Sequence, residues 1–285
     1  MSKKKLMLHE FYKMKAEGRK IAWLTSYDYP TAQFAEAAGM EMILVGDSLG
    51  MCVYGYSGTI PVTMDQCIVH CEAVRRAAPN TFVVGDMPLG SYQVSDEDAV
   101  RNAVRFLKEG GVDAIKLEGG TRIISRIKAI LDAGIVVIGH IGLTPQSSGQ
   151  MGGHKAQGRT VESARMVIED ALAIEEAGAQ MLLIEAVPPE VAGFIARKLK
   201  IPVLSIGAGP GCDGQLLIVS DLIGQFTAFT PKFVKKYANV AETVTKAMKE
   251  YVSDVKSGSF PSDEHCYHMI SGEEEKLEDL IREYK

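Results

Sequence analysis

Four times in this chain a short apolar run ends in a carboxylate. Met42-Ile43-Leu44-Val45-Gly46 leads to Asp47, Phe82-Val83-Val84-Gly85 to Asp86, Ala114-Ile115-Lys116-Leu117 to Glu118, and Met181-Leu182-Leu183-Ile184 to Glu185. Runs this short and this apolar read as strands buried on both faces, as in parallel sheets. Acids at the ends of buried strands are costly unless something positive gathers them. A barrel of parallel strands brings all such ends to one face, which is where the chemistry of that architecture sits.

The rest of the chain fits the same plan. Strand-like Ile21-Ala22-Trp23-Leu24-Thr25 precedes a helix that starts at Pro30 and runs to about Ala38. A Gly-rich loop (Gly50, Gly55, Gly58, Pro61) separates strand two from a helix beginning near Met64. Ser95-Asp96-Glu97-Asp98 supplies an N-cap and first-turn acids for the next helix, and Gly110-Gly111 ends it. Strand five is read as Ile135 to Gly139, and a loop from Gly142 to Thr160 follows. A helix from Val161 ends at Gly178, and Pro188-Pro189 restarts a helix after strand six. Strand seven is Val203 to Ile206, and a weaker strand eight is placed within Leu216 to Val219.

Strand and helix alternating in this way require parallel strands with crossover helices. The predicted architecture is a single (β/α)8 barrel domain over 1–285. An N-terminal helix within 1–20 covers the barrel bottom, and 240–285 forms a C-terminal helical tail packed outside. A doubly wound open sheet is disfavoured, because it would concentrate candidate residues at one switch point, whereas here they spread over strands two to six.

Composition narrows the function class. A net charge of −5 argues against nucleic acid or an anionic membrane as the main partner. Lys3-Lys4-Lys5 reads as a solvated terminus rather than a binding patch. No apolar stretch approaches the roughly 18 residues of a membrane span, and the N-terminus lacks a signal-peptide core. The 5 cysteines (Cys52, Cys67, Cys71, Cys212, Cys266) are irregularly spaced and read as reduced thiols of a cytoplasmic protein. Cys67, His70 and Cys71 fall near one helical turn, but a zinc site wants a fourth ligand, so helix packing is the reading here.

Asp47 and Asp86 are the leading metal candidates. Hard divalent cations such as Mg2+ take one or two carboxylates together with water and substrate oxygens. N-capping, the common task of Asp at a strand–helix junction, suits neither Asp47-Ser48-Leu49-Gly50 nor Asp86-Met87-Pro88. Lys116 and Glu118 are two residues apart on a strand and therefore point to the same side. They make either a structural ion pair or a substrate-carboxylate anchor beside an acid that reaches the metal directly or through water. Glu185 follows four apolar residues with no side-chain partner in its own segment, so it faces the pocket as a candidate general base. His140 ends strand five, either as a satisfied strand-end histidine or as a pocket residue. Gly207-Ala208-Gly209-Pro210-Gly211 is either a phosphate-binding loop or a tight turn.

Taken in order, these segments resemble the ketopantoate hydroxymethyltransferase family. The resemblance is carried by Leu24-Thr25-Ser26-Tyr27-Asp28-Tyr29, Val45-Gly46-Asp47-Ser48-Leu49-Gly50-Met51, Asp86-Met87-Pro88, Lys116-Leu117-Glu118-Gly119-Gly120 and His140-Ile141-Gly142-Leu143-Thr144-Pro145-Gln146. Gln157-Gly158-Arg159, Gly207-Ala208-Gly209 and Asp213-Gly214-Gln215 continue it, in register from about residue 6 to 268. It implies a (β/α)8 barrel that moves a hydroxymethyl group from 5,10-methylenetetrahydrofolate to 3-methyl-2-oxobutanoate. The product is ketopantoate, for pantothenate and coenzyme A, formed through an enolate stabilised by Mg2+ or another divalent cation. It further implies that Asp47 and Asp86 bind metal with Glu118 in the same shell, that Asp47, Ser48, Asp86 and Lys116 contact the oxo acid, that His140 lines the pocket and that Glu185 is the base. A large homo-oligomer, often a decamer, is also implied.

Two loops depart from the family pattern. Ser57-Gly58-Thr59 stands where Asp-Ser-Thr is usual, and His154 stands in Gly152-Gly153-His154-Lys155 where Tyr is frequent. Both bear on folate or lid contacts rather than on the core chemistry. The competing enzyme class is a phosphoenolpyruvate mutase or isocitrate lyase-like barrel, which shares a Gly-Asp-Ser stretch. The catalytic Lys-Lys-Cys-Gly-His type loop of lyases in that group is missing here. A non-enzymatic binding barrel is the third class.

Overall fold

A computed structural model describes residues 4–284. Eight parallel strands close into a barrel in sequence order: β1 (Ile21–Thr25), β2 (Met42–Val45), β3 (Phe82–Asp86), β4 (Ala114–Glu118), β5 (Val137–Gly142), β6 (Met181–Glu185), β7 (Val203–Ile206) and β8 (Gly214–Leu217). Closure pairs Trp23 of β1 with Leu216 of β8. Helix α1 (Leu8–Ala16) precedes the barrel. The helices that follow are α2 (Tyr29–Ala37), α3 (Leu49–Cys52), α4 (Met64–Ala77), α5 (Asp96–Lys108), α6 (Ile124–Asp132), α7 (Val161–Glu176), α8 (Pro189–Lys198) and α9 (Val219–Leu222). Of the described residues, those up to 238 form one compact unit, and those from 239 onward form a second, with α10 (Val240–Ser257) and α11 (Glu274–Glu283).

Local chemistry explains the helix starts. Asp28 accepts a hydrogen bond from the Thr31 amide at 2.8 Å. Thr63 and Gln66 form a reciprocal capping box on α4, and Ser95 caps α5 through the Asp98 amide at 3.0 Å. Each such cap stabilises its helix by about 1 kcal/mol.

Alternation along the strands divides the core in two. Trp23, Met42, Leu44, Phe82, Val84, Ala114, Ile138, Leu183 and Leu204 point into the barrel, while Ile43, Val83, Ile115, Leu117, Leu182 and Val203 face the helices. Phe11 and Met14 of α1 join the inward set, and the Phe11 ring meets Phe82 edge-on at 5.1 Å between centroids. The N-terminal helix therefore plugs the barrel at the end where the strands begin. Lys15 secures it through an ion pair with Asp213 at 2.6 Å. On the outside, Gly85 lets α5 lie directly on β3, since a Cβ there would meet the Phe106 ring at 2.5 Å.

Three boundaries differ from expectation. β5 begins at Val137 because Ile135 still bonds back to the Ile130 carbonyl at the exit of α6. Its far end extends to Gly142, which pairs with Glu185. β8 sits at Gly214–Leu217 because Gly214 pairs with both Ile21 and Leu204, which no apolar run announces. Of the basic terminus, Lys3 lies outside the described residues. Lys5 is not simply solvated, because it pairs with Asp113, which also takes Arg75 at 2.5 Å.

Candidate active site

The inward alternation that gives apolar residues at the lower end continues upward into charge. Asp86, Lys116, Glu118, His140 and Glu185 are the inward positions at the C-terminal ends of β3 to β6, and Asp47 follows β2 by two residues. All except Glu185 are buried. Lys116 Nζ lies 2.8 Å from Asp86 Oδ1, 3.7 Å from Glu118 Oε1 and 3.2 Å from His140 Nδ1. Asp86 Oδ2 accepts the Asp47 backbone N–H at 3.0 Å. Neither Asp47 nor Asp86 caps a helix.

Electrostatics in this pocket are dominated by burial. It pushes Asp86 well above the usual carboxylate range despite Lys116 opposite, and it raises Asp47 and Glu118 as well. Burial alone would lower Lys116, but Asp86, Glu118 and Asp47 outweigh it and keep the ammonium charged. His140 is held below its usual value by burial and then by the Lys116 charge. A neutral His140 facing the Lys116 ammonium accepts at Nδ1, which assigns the ring proton to Nε2. That nitrogen stands 3.2 Å from Glu185 Oε2 without an aligned hydrogen bond. The partner that Glu185 lacks in its own segment thus comes from the neighbouring strand.

Glu185 is the acid that opens outward. Its side chain is 15% exposed where that of Glu118 is 1%. Backbone geometry fixes it from both sides. Gly142 takes φ +87°, and a Cβ on it would lie 2.3 Å from the Glu185 carbonyl oxygen, which itself accepts the Leu143 amide at 2.9 Å. Ala186 adopts φ +47°, a left-handed conformation that costs an L-residue roughly 1–2 kcal/mol. It is pinned there by its N–H to the Ile206 carbonyl and by its carbonyl to the Gln157 N–H, each at 2.9 Å. Strain of this kind clusters at functional sites.

A cavity of about 780 Å³ covers the site, walled by the loops after β5, β6 and β8, including Lys155, Arg159 and Phe233. Ser48 lines it and shares a 2.7 Å hydrogen bond with the Tyr27 hydroxyl. Gly207 and Gly209 both take positive φ, and the Ala208 amide donates to Ser205 Oγ at 3.0 Å, so this run is a tight turn. Cys67 and Cys71 are buried in the helix-facing core, while His70 bonds to the Tyr27 carbonyl and the Tyr54 hydroxyl.

The donor set suits a divalent cation in charge. Three buried carboxylates face one ammonium and a neutral imidazole, leaving two negative charges without balance when all are ionised. Asp86 Oδ1 is buried and faces the Lys116 ammonium at 2.8 Å without an aligned hydrogen bond. Among the described residues no group of three His, Cys, Asp or Glu side chains forms a ready-made metal site, and hard divalent cations are also bound through one or two carboxylates with water and substrate oxygens.

A sequence model of the ketopantoate hydroxymethyltransferase family matches residues 5–263. The chain belongs to that family. A 3-methyl-2-oxobutanoate hydroxymethyltransferase of Alkaliphilus metalliredigens is 68% identical over 285 residues, covering 100% of both chains. One of the same name from Heliobacterium modesticaldum is 51% identical over 93% of this chain and 96% of its own. As a ketopantoate hydroxymethyltransferase family member, the protein is an enzyme of hydroxymethyl transfer. In fold it also resembles a phosphonopyruvate hydrolase solved with oxalate and Mg2+ (TM-score 0.59, 15% identity, 98% of each chain). A 2,3-dimethylmalate lyase of the phosphoenolpyruvate mutase/isocitrate lyase superfamily is similarly related (TM-score 0.58, 18% identity, 97% and 98% of the chains). At such identities the likeness concerns the fold alone. No helix among the described residues is long and apolar enough to cross a membrane.

Sequence reasoning missed two members of the site. Gln146 and Tyr92 bond to Asp47 and Glu118 across long sequence separations. The only signal was that Gln146 ends the His140–Gln146 family stretch.

Proposed function

We propose that this family member converts 3-methyl-2-oxobutanoate to ketopantoate with 5,10-methylenetetrahydrofolate as the one-carbon donor. Glu185 carries the reading, because it is the least buried of the clustered acids that line the cavity and has His140 Nε2 3.2 Å from its carboxylate. Asp47 and Asp86 would hold a divalent cation such as Mg2+, with Glu118 acting through water. When bound, the cation supplies Lewis-acid polarisation of the 2-oxo group.

Lys116 presents positive charge to the substrate carboxylate, and Ser48, held by Tyr27, offers a hydroxyl beside it. Glu185 removes the C3 proton, with His140 Nε2 3.2 Å from its carboxylate. Water supplies the hydroxyl oxygen: the donor's methylene carbon leaves both folate nitrogens as it gains that oxygen, at the oxidation level of formaldehyde. The electron pair left on C3 bonds to it, the new oxygen takes up a proton, and tetrahydrofolate departs. The cavity's 780 Å³ suits cofactor-sized ligands, whose pockets run from roughly 300 to 1,000 Å³. Loops after β5 and β8 supply Lys155, Arg159 and Lys232 for the anionic end of the donor. By family likeness the enzyme assembles as a homo-oligomer in the cytoplasm, with small molecules as its partners.

Proton NMR of 3-methyl-2-oxobutanoate in deuterated buffer tests this reading. Cation-dependent loss of the C3 proton signal, followed by ketopantoate once the folate is added, is the expected result. Folded, cation-loaded protein that exchanges no C3 proton would reject the substrate and redirect the search to other small 2-oxo acids.

A further inference from the structure

Gln146 sits in the single turn Pro145–Ser147 after β5, buried, and every polar atom of its amide is engaged. Nε2 donates to Asp47 Oδ2 and to the Met87 carbonyl, each at 2.9 Å. Oε1 accepts from the Tyr92 hydroxyl at 2.7 Å and from Gln93 Nε2 at 3.3 Å. The backbone N–H of the same residue donates to Glu118 Oε2 at 3.0 Å. One residue therefore grips an oxygen of each of two acids that repel one another.

The amide cannot turn over. The Met87 carbonyl only accepts, so it demands the Nε2 end. Tyr92 occupies the other end: its hydroxyl accepts the Glu118 backbone N–H at 3.1 Å and donates to Gln146 Oε1 at 2.7 Å, a shorter contact than the 3.1 Å to the Glu118 carbonyl. Tyr92 is itself fully buried and its segment is tied down, with Arg126 bonded to the Tyr92 carbonyl and Asn102 to the Ser91 carbonyl. Polarity thus runs one way, from the β4 backbone through Tyr92 and Gln146 to Asp47.

We infer that Gln146, locked by Tyr92, is a positioning residue that sets the direction of the Asp47 and Glu118 carboxylates and leaves their second oxygens for the cation and its water. This rests on the proposed reading of Asp47 as a cation ligand. Outer partners of this kind change metal affinity by roughly 10–100-fold when removed.

The test is Mn2+ binding followed by EPR on the full chain without substrate, alongside thermal unfolding. Gln146→Met keeps length and burial but removes the amide, and should weaken Mn2+ by about tenfold or more. Tyr92→Phe removes only the lock, should weaken Mn2+ less, and carries the test if Gln146→Met fails to fold. The double variant should bind no worse than Gln146→Met, because both act through one chain of bonds. In C3 proton exchange, the Mn2+ concentration for half-maximal rate should rise more than the rate at saturating Mn2+ falls. Folded variants with wild-type Mn2+ affinity overturn the inference on its own, provided that Asp47→Asn abolishes binding. Wild-type protein that binds no Mn2+ removes the cation reading and this inference with it.

Discussion

The two ends of the barrel interior are made by the same strands and have opposite chemistry. At the lower end Trp23, Met42, Phe82 and Ala114 meet Phe11 and Met14 of α1 in an apolar plug. At the upper end the next inward positions are Asp86, Lys116, Glu118, His140 and Glu185. The lower end gains stability from burial, at roughly 25 cal/mol per Å² of apolar surface. Burial at the upper end opposes folding, since it disfavours each charge it encloses. Stability and chemistry are thus segregated along one axis, and each end can be altered while the other reports.

The largest effect is expected from Glu185→Gln. It should lower C3 proton exchange by about 10²–10⁴-fold while leaving oxo-acid binding and thermal stability near wild type, measured by NMR and unfolding. Wild-type exchange would remove Glu185 from the role of base. Phe11→Ala is the mirror experiment. Emptying the fully buried ring site should cost about 3–5 kcal/mol in denaturant unfolding, while the folded fraction keeps its oxo-acid affinity. A loss of affinity larger than the loss of folded protein would show that the two ends are not independent.

Gly142→Ala probes the junction between fold and site. With φ +87° and a Cβ 2.3 Å from the Glu185 carbonyl, the strand must shift. Displacing the base by about 1 Å should lower exchange by about 10²-fold. The smallest effect is a pH dependence. His140 is held below its usual value near 6.5, so below that pH the unfolded chain takes up a proton that the folded protein refuses. This contribution to stability is present above that value and is lost as pH falls. The difference in melting temperature between wild type and His140→Gln, measured in chelator, should therefore shift against wild type from pH 7 to pH 5. A constant difference would mean that the imidazole titrates as an exposed one does.

Much of this organisation is written locally. The runs ending at Asp86, Glu118 and Glu185 are strands because apolar residues on both faces have no other way to be buried, and their terminal acids fall on the inward face by the two-residue period. Lys116 and Glu118 share that face for the same reason. By contrast, β8 is a strand only because Ile21 and Leu204 stand on either side of Gly214. Short α3 (Leu49–Cys52), inside what reads as a loop, is another element that local pattern does not announce.

The sequence by itself determined the barrel, the family and the acids that ring its upper end, because strand periodicity and the strand–helix alternation are short-range properties. Tertiary structure decided what those acids do to one another. Lys116 is committed to Asp86, His140 is kept neutral and aimed at Glu185, and Gln146 reaches Asp47 across 99 positions. Such contacts depend on which strands become neighbours when the barrel closes and on how far burial shifts each charge. Neither quantity exists until distant segments have been packed together.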